Sequence, residues 1–354
     1  MKRVYVNALA GGEILARDLF TQNYGNILMP RGTVLKKEYI ERLELLGVKT
    51  VLVEEDVPEV SERKQELMED CQNQVKQVLE RHIYKHNTEL QKLCTMAESM
   101  IMEVLKDEPL SEKVIEIQRS NGDMYTHSMQ VCTLSTIMAL KCGLDKRTVQ
   151  DILKGGLLHD IGLRYITVKY ENINIEDLPK SSQEEYRMHT LEGYAALKQE
   201  NWISNNVKDI IFYHHERLDG SGYPLQLSGD RLSIPVKIVN ICDAFDELLA
   251  GIGCKRCRLQ EAIEYLRDNK EIKFDKKLTD IFLKMIVQYP TGCEVKISTG
   301  EKGTVIAQNK EMPERPVLEL HYDKDGKMYE KKKKLDLMAA LNVFIVESSD
   351  EILN

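Results

Sequence analysis

The segment HHERLDGSGYP at residues 214–224 carries the most information about the fold and chemistry of this chain. Its two adjacent histidines precede a loop in which two glycines permit a tight turn and a proline stiffens it. Upstream lie the sequence HDIG at residues 159–162 and a lone His127. Imidazole and carboxylate groups suit divalent first-row metals, and a carboxylate can bridge two ions. These residues predict a hydrolase site that holds more than one metal ion.

The overall composition is that of a globular protein with several domains. The chain has 354 residues, a net charge of −8, 42% hydrophobic residues and 30% charged residues. This length predicts two or three domains. The acidic balance argues against binding to a nucleic-acid polymer, which requires clustered lysine and arginine to neutralise phosphates. A small anionic ligand in a metal-rich pocket is compatible with the same charge.

Cysteine usage and hydropathy indicate a cytoplasmic location. The eight cysteines are scattered, and Cys254 and Cys257 form a CxxC without a second pair at zinc spacing, so we expect free thiols in a reducing compartment. No apolar run reaches the ~18 residues of a membrane span, and the amino terminus lacks an apolar signal segment. We therefore expect no membrane association.

The amino-terminal part of the chain predicts two pieces without a catalytic cluster. Residues 1–55 alternate short β-like runs with turn signals and one helical stretch, so they predict a small α+β unit that could bind protein partners. Residues 56–108 predict a helical linker. Its apolar pattern could also pair with a second subunit and form a homodimer.

The remaining sequence predicts a helical domain followed by a small β domain, so the fold class is mainly α. Apolar spacing is helical almost throughout residues 109–289, which contain every chemically suggestive residue. Residues 290–354 contain short runs rich in valine and isoleucine, separated by turn pairs. The basic run Lys331–Lys334 predicts a solvated strand or turn.

Five of the eight histidines fall within the helical block. They are His127, His159, His189, His214 and His215. Asp160 and Asp243 lie among apolar residues of predicted helices, where a buried carboxylate needs hydrogen bonds or a counter-charge. A metal ion would supply that charge. His82 and His86 lie in a helix rich in lysine and glutamine, and we interpret them as surface residues.

The helical block at residues 109–289 resembles the HD-GYP family, a branch of the HD phosphohydrolase superfamily. The resemblance rests on the sequence THS at 126–128, LLHDIG at 157–162, His189 followed by Gly193, HHERLDGSGYP, and Asp243 with Asp246. It implies an all-α catalytic domain that holds two or three divalent ions, commonly iron or manganese. It also implies hydrolysis of cyclic di-GMP to linear pGpG, and further to GMP.

The resemblance assigns ligands to each ion. His127, His159, Asp160 and Asp243 match ligands of one metal, with Asp160 placed to bridge, and His189, His214 and His215 match ligands of the second. Asp123 occupies the place of a glutamate in three-metal members, although an aspartate there could equally cap a helix. Catalysis is assigned to His159 and Asp160, because two ions ~3.5–4 Å apart could share a water and present a bridging hydroxide to phosphorus.

Substrate contacts are implied for Tyr223, Gly222, Asp219, Arg164 and Lys255. Two positions depart from the family: Leu163 stands where a lysine reaches a substrate phosphate, and Ile252 stands where a second cation is often found. Each missing charge-assisted bond is worth about 1.5–3 kcal/mol. Two other functions are therefore compatible with the sequence: a binding or interaction module with weakened turnover, and a hydrolase of another cyclic dinucleotide or phosphoester.

Overall fold

The computed structural model describes residues 2–53, 88–104 and 123–348, apart from gaps at 7–8, 10, 17–18, 21–26, 31, 47, 49, 290 and 310–311. The chain divides into two compact units, Met1–Glu66 and Leu67–Asn354. Most of the linker predicted at 56–108 lies outside the described residues, as do His82 and His86.

The first unit is a small α+β fold, as its sequence predicts. In its described part, β1 (Lys2–Tyr5) pairs antiparallel with β4 (Thr50–Val53), and β2 (Leu19–Phe20) pairs antiparallel with β3 (Ile27–Met29). The helix α1 (Lys37–Leu45) precedes β4 in the chain. Apolar residues of α1 and β4 share one core, because helical spacing in α1 and alternation in β4 each place them on a single face.

The second unit contains the helical domain. Its described helices are α2 (Thr88–Val104), α3 (Met124–Lys141), α4 (Lys146–Leu158), α5 (Lys180–Arg187), α6 (His189–Leu197), α7 (Asn205–Tyr213), α8 (Ile234–Ala250), α9 (Leu259–Asp268) and α10 (Lys276–Met285). Short 3-10 helices span Ile161–Tyr165, Ile175–Asp177 and Gly229–Arg231. None of the helices described in either unit is both long and apolar enough to cross a membrane.

The helices α3 and α8 lie at the centre of this domain. Every residue of α3 from His127 to Ala139 is buried, and α3 packs against both α4 and α8. On the far side of α8, the rings of Phe245 and Phe282 meet edge to face with centroids 5.0 Å apart. Polar side chains on the buried faces of these helices are shielded from solvent. His127 of α3 and Asp243 of α8 are therefore held inside the core.

Capping residues set the helix ends that position the site. The side chains of Asp145, Ser204 and Asp275 accept hydrogen bonds from first-turn backbone N–H groups of α4, α7 and α10. Gly251 adopts a left-handed conformation with φ of 77° and ends α8. The caps of α4 and α7 fix the registers of the two helices whose last turns lead into His159 and His214.

The helix α2 packs against its own chain. Leu90, Leu93, Ala97 and Ile101 recur at helical spacing and are buried in a cluster that includes Leu157 of α4. This apolar face is therefore used within the helical domain. The predicted homodimer stays a prediction.

The carboxy-terminal residues form the predicted β domain as one antiparallel sheet. Its strands β5 (Glu294–Ile297), β6 (Lys302–Ala307), β7 (Val317–Tyr322), β8 (Met328–Asp336) and β9 (Ile345–Ser348) lie in the order β8-β7-β6-β5-β9. Alternate side chains form a core that includes Val295, Val305 and Leu318. Lys331–Lys334 lie exposed on β8, at the edge of this sheet, where charge discourages pairing with another sheet.

Candidate metal centre

The histidines of the centre lie at helix ends and in one helix interior. His127 is inside α3, His159 and His214 directly follow α4 and α7, and His189 is the first residue of α6. These four side chains are 0% exposed, and His215 is 5% exposed. The predicted histidines thus converge on one buried space, although they come from four separate segments of the sequence.

Hydrogen bonds at Nδ1 orient four of the rings. The Nδ1 of His159, His189 and His214 donates to the backbone carbonyl three residues earlier, at 2.7, 2.7 and 2.9 Å respectively. These carbonyls belong to the last turns of α4, α5 and α7, where helical C=O groups lack intrahelical partners. The Nδ1 of His127 lies 2.7 Å from Oδ2 of Asp246. Each ring therefore presents the lone pair of Nε2 inward.

The Nε2 atoms meet in two pairs. Those of His127 and His159 are 3.2 Å apart, and those of His189 and His214 are also 3.2 Å apart. When both rings are neutral and carry hydrogen on Nδ1, two facing Nε2 lone pairs cannot bond to each other. Each pair therefore provides a ready ligand set for a cation.

Asp160 lies between the two pairs. Its Oδ2 is 3.5 Å from Nε2 of both His127 and His159, and its Oδ1 is 3.4 Å from Nε2 of both His189 and His214. Asp243 joins the first pair, with Oδ1 3.2 Å from His127 Nε2 and 3.3 Å from His159 Nε2. This division of the oxygens suits a carboxylate that bridges two ions.

Unpartnered buried oxygens test whether these residues fit metal ions. Among the described residues, Oδ1 of Asp160 and both oxygens of Asp243 are buried without a hydrogen-bond partner. An isolated buried carboxylate is strongly unfavourable without a counter-charge. The donor set of imidazole nitrogens and carboxylate oxygens is one that iron, manganese and similar ions accept. The residues present therefore fit divalent cations.

Electrostatics differ between the two halves of the centre. Burial lowers the pKa of His159, but Asp160 and Asp243 outweigh burial and raise that pKa to about 10. Burial lowers the pKa of His189, and nearby His214 adds to the effect, so that this pKa is about 4. The half that contains Asp243 therefore has the more negative field and the stronger attraction for positive charge.

The loop 219–224 lies beside the second pair. The ring of Tyr223 stacks on His215 with centroids 4.6 Å apart, and the guanidinium carbon of Arg187 lies 5.5 Å from the Tyr223 ring centre. A Cβ on Gly222 would lie 2.3 Å from the carbonyl oxygen of His215, so a side chain at this position would force the backbone apart. Asp219 accepts hydrogen bonds from the backbone N–H and hydroxyl of Ser221 within the loop.

Glu216 anchors this loop from below, a role that the sequence interpretation missed. Its buried carboxylate accepts hydrogen bonds from the backbone N–H groups of Leu225 at 2.6 Å and Leu227 at 2.9 Å. Asn240 of α8 donates to the Glu216 carbonyl at 2.6 Å. The residue after the two histidines thus ties the end of the loop 219–224 to the core.

Three predicted site residues do not belong to the groups with metal-ligand spacing found among the described residues. Oδ1 of Asp123 accepts hydrogen bonds from the N–H and hydroxyl of Thr126, each at 2.9 Å, and caps α3. Arg164 is half-buried in the 3-10 helix, and Lys255 is exposed with its backbone N–H bonded to Asn174. In the described part of the chain, the residue groups with metal-ligand spacing do not include Asp123.

The two departures from the family pattern share one apolar cluster. Leu163 is 2% exposed and Ile252 is 1% exposed, and both pack with Tyr186 and Ala250. Side chains at the two positions thus stabilise each other by burial. Where the family pattern has two cationic side chains, this chain has two apolar side chains in one hydrophobic cluster.

Glu247 was also missed by the sequence interpretation. It follows Asp243 by four residues on α8, so both carboxylates lie on one helix face. His215, Asp243 and Glu247 form a further group with metal-ligand spacing. The signal in the sequence was a pair of acidic residues one turn apart in an apolar helix.

Comparisons with protein families agree with this geometry. Residues 109–278 match the model of the HD domain, and residues 294–352 match that of the KOW domain associated with HD domain. Residues 109–278 are therefore similar to the HD domain, and the resemblance recognised in the sequence is confirmed. Bd1817, described as a HDG"Y"P protein from Bdellovibrio bacteriovorus, has the same fold, with a TM-score of 0.55 and 18% identity over 80% of this chain and 98% of that one.

Curated relatives carry cyclic dinucleotide phosphodiesterase names. Cyclic di-GMP phosphodiesterase PA4108 of Pseudomonas aeruginosa is 29% identical over 201 residues, 55% of this chain and 47% of that protein. PdeB of Borreliella burgdorferi, with the same activity in its name, is 23% identical over 61% of this chain and 56% of its own length. The 3'3'-cGAMP-specific phosphodiesterase 1 of Vibrio cholerae is 27% identical over 47% and 38% respectively. The chain spans about half the length of the first two relatives.

Asp246→Asn should weaken binding of Mn(II) by about 10–100-fold, because the carboxylate that orients His127 loses its charge. Titration with Mn(II), with the free ion followed by electron paramagnetic resonance, gives the dissociation constants. Asp268→Asn, at an exposed position in the last turn of α9, is the matched control and should leave them unchanged. Equal affinities for Asp246→Asn and the unsubstituted protein would contradict this role.

Leu163→Lys should lower the free energy of unfolding by roughly 2–5 kcal/mol, because it places an ammonium group in the apolar cluster. A lysine at position 163, as in the family pattern, should therefore not restore a contact with a substrate phosphate. Urea denaturation followed by the fluorescence of Trp202, the single tryptophan, measures the change. Leu163→Met preserves volume and should cost less than about 1.5 kcal/mol. A lysine variant as stable as the methionine variant would show that the ammonium escapes the cluster.

Proposed function

We propose that the protein is a metal-dependent phosphodiesterase that hydrolyses cyclic di-GMP to linear pGpG, and further to GMP. The observation that carries this proposal is the position of Asp160, whose two oxygens face two separate pairs of histidine Nε2 atoms. The names of the curated relatives support a cyclic dinucleotide as the substrate class.

The residues divide between two ions. His127, His159, Asp160 and Asp243 would hold the first. The second would be held by Asp160, His189, His214 and His215, which together have metal-ligand spacing. Divalent ions at these positions would activate a water for attack on phosphorus and neutralise charge on the phosphoryl oxygens. His159 and Asp160 are therefore the residues on which catalysis depends most directly.

The substrate would lie against the loop that contains Tyr223. Gly222 permits the close backbone turn, and the Tyr223 ring offers a flat surface for a guanine base. Arg187 is exposed next to this ring and can meet a phosphate with a charge-assisted hydrogen bond. Arg187 thus supplies positive charge beside Tyr223, whereas Leu163 and Ile252 supply none.

Two other functions are favoured by particular observations. The apolar cluster around Leu163 and Ile252 favours a protein that binds a cyclic dinucleotide with slow turnover. The cGAMP-specific relative favours a mixed cyclic dinucleotide as substrate. Product analysis with both nucleotides separates these functions from the one proposed.

Asp160→Ala should reduce hydrolysis of cyclic di-GMP at least about 1,000-fold, because one side chain serves both ions. The protein is loaded anaerobically with Fe(II) or Mn(II), incubated with cyclic di-GMP or 3'3'-cGAMP, and its products are separated by chromatography. Asp268→Ala is the control and should retain full activity. Binding of cyclic di-GMP without pGpG formation would show that the protein is a binding module and not the proposed enzyme. Turnover of 3'3'-cGAMP alone would show that the substrate is a mixed cyclic dinucleotide.

Arg187→Ala should raise KM for the cyclic dinucleotide about 10–100-fold with little change in kcat, since one charge-assisted bond is worth about 1.5–3 kcal/mol. Initial rates over a range of substrate concentrations measure both constants. Arg231→Ala removes an exposed arginine from another part of the same domain and should leave KM unchanged. The same KM in both variants would show that Arg187 does not contact the substrate.

A further inference from the structure

Asn240 is a buried polar residue in the apolar interior of α8. It is 4% exposed, and its neighbours Val239 and Ile241 are fully buried. Its Nδ2 donates to the backbone carbonyl of Glu216 at 2.6 Å, whereas its Oδ1 is buried and has no hydrogen-bond partner among the described residues. A buried amide with one unsatisfied atom is unfavourable for folding. An apolar side chain would avoid this cost, so the value of the asparagine lies in its bond to Glu216.

The carbonyl that Asn240 holds belongs to the turn after His214 and His215. Nη1 of Arg217 donates to the same carbonyl of Glu216 and to that of His214, both at 3.0 Å. Two donors therefore meet at the Glu216 carbonyl, one from α8 and one from within the turn. Without the Asn240 amide, this carbonyl would keep one partner, but the turn would lose its bond to α8.

The loop 219–224 lies directly against this turn. A Cβ on Gly222 would be 2.3 Å from the carbonyl oxygen of His215 and 2.5 Å from Cα of Glu216, so the two stretches of backbone are in close contact. The N–H of Tyr223 donates to the His215 carbonyl at 3.3 Å. The position of the Tyr223 ring therefore depends on where the turn is held.

Glu216 supports the chain after this loop as well. Its carboxylate accepts the N–H groups of Leu225 at 2.6 Å and Leu227 at 2.9 Å. The main chain of Glu216 thus lies under the loop, and its side chain holds the residues that follow it. Asn240 connects this anchor to α8.

The same face of α8 reaches the metal centre. Asp243 follows Asn240 by three residues, about one helical turn, so the two side chains point the same way. Oδ1 of Asp243 is 3.2 Å from Nε2 of His127. One face of α8 therefore contacts both the metal centre and the turn that supports Tyr223.

We propose that Asn240 is a positioning residue for the loop 219–224. By holding the Glu216 carbonyl, Asn240 sets the position of Tyr223 relative to Asp243 and the metal centre. The proposal rests on the proposed function, because it concerns how a cyclic dinucleotide is bound against Tyr223. A loop that is already held in place loses less freedom when its ligand binds, so the effect belongs in KM.

Asn240→Ala should raise KM for cyclic di-GMP about 3–10-fold and change kcat less than about twofold, because it removes one neutral hydrogen bond outside the metal centre. Initial rates of the Mn(II)-loaded protein measure both constants. Asn206→Ala is the matched control, since the Asn206 amide donates to Asp151 at 2.9 Å in the first turn of α7, away from His214. An unchanged KM in Asn240→Ala would overturn the proposal.

A double-mutant cycle tests whether Asn240 acts through Tyr223. In a Tyr223→Ala background, Asn240→Ala should raise KM less than about twofold, because the ring whose position it sets is gone. An undiminished rise in that background would show a general structural role for Asn240 and contradict the proposal.

Hydrogen exchange measures the position of the loop without substrate. Asn240→Ala should speed exchange in peptides that cover residues 219–227 about 3–10-fold, whereas Asn206→Ala should not. Circular dichroism verifies that the helices remain folded. Asn240→Ser also loses the amide donor but keeps a polar group, and it serves as the second variant if the alanine variant unfolds. Unchanged exchange at residues 219–227 in a folded variant would also overturn the proposal.

Exchange and kinetics together separate this proposal from the proposed function. If the unsubstituted protein neither binds nor hydrolyses cyclic di-GMP, the proposed function fails, and faster exchange in Asn240→Ala would still show that Asn240 supports the loop. If the unsubstituted protein hydrolyses cyclic di-GMP while Asn240→Ala changes neither KM nor exchange, only the role of Asn240 fails.

Discussion

Four histidine rings and two carboxylates share one buried space. Their lone pairs and negative charges repel one another, and the helices of the domain pack around them. Nδ1 of each of the four rings is committed to a carbonyl or to Asp246, so the Nε2 lone pairs cannot turn away from one another. Asp160 and Asp243 add negative charge where water is excluded. Such a cluster is unfavourable without cations. Packing of α3 against α4 and α8 holds the ligands in place, and the ions would release the electrostatic strain.

The sequence predicted which side chains converge, because the types and order of these residues are distinctive. His159 with Asp160 and His214 with His215 are rare pairs in apolar surroundings, and their convergence needed only the helical domain that the spacing also predicted. The roles of backbone carbonyls could not be predicted, because they depend on where α4, α5 and α7 end. The choice between ligand and helix cap at Asp123 likewise depends on a local hydrogen bond to Thr126.

Residues outside the motifs were harder to recognise. Glu216 and Glu247 look like ordinary charges in the sequence, and only the packing of the loop against α8 shows that both face inward. Leu163 and Ile252 were recognised as departures, but 89 positions separate them in the chain. Their position in one cluster depends on the tertiary structure, so the sequence alone could not predict it. The two missing cations are therefore one combined change, in which charged side chains are replaced by buried apolar ones.

That exchange changes how a cyclic dinucleotide could be held. The segment after α8 is fastened by Asn172, whose N–H donates to the Gly251 carbonyl at 2.6 Å, and by Asn174, which accepts from the N–H of Lys255. Because this region is packed and bonded, it cannot easily open to admit a phosphate. In the proposed enzyme, positive charge for the substrate would come from the bound ions and from Arg187 beside Tyr223. Metal occupancy would then govern substrate binding as well as turnover, since the same ions serve both.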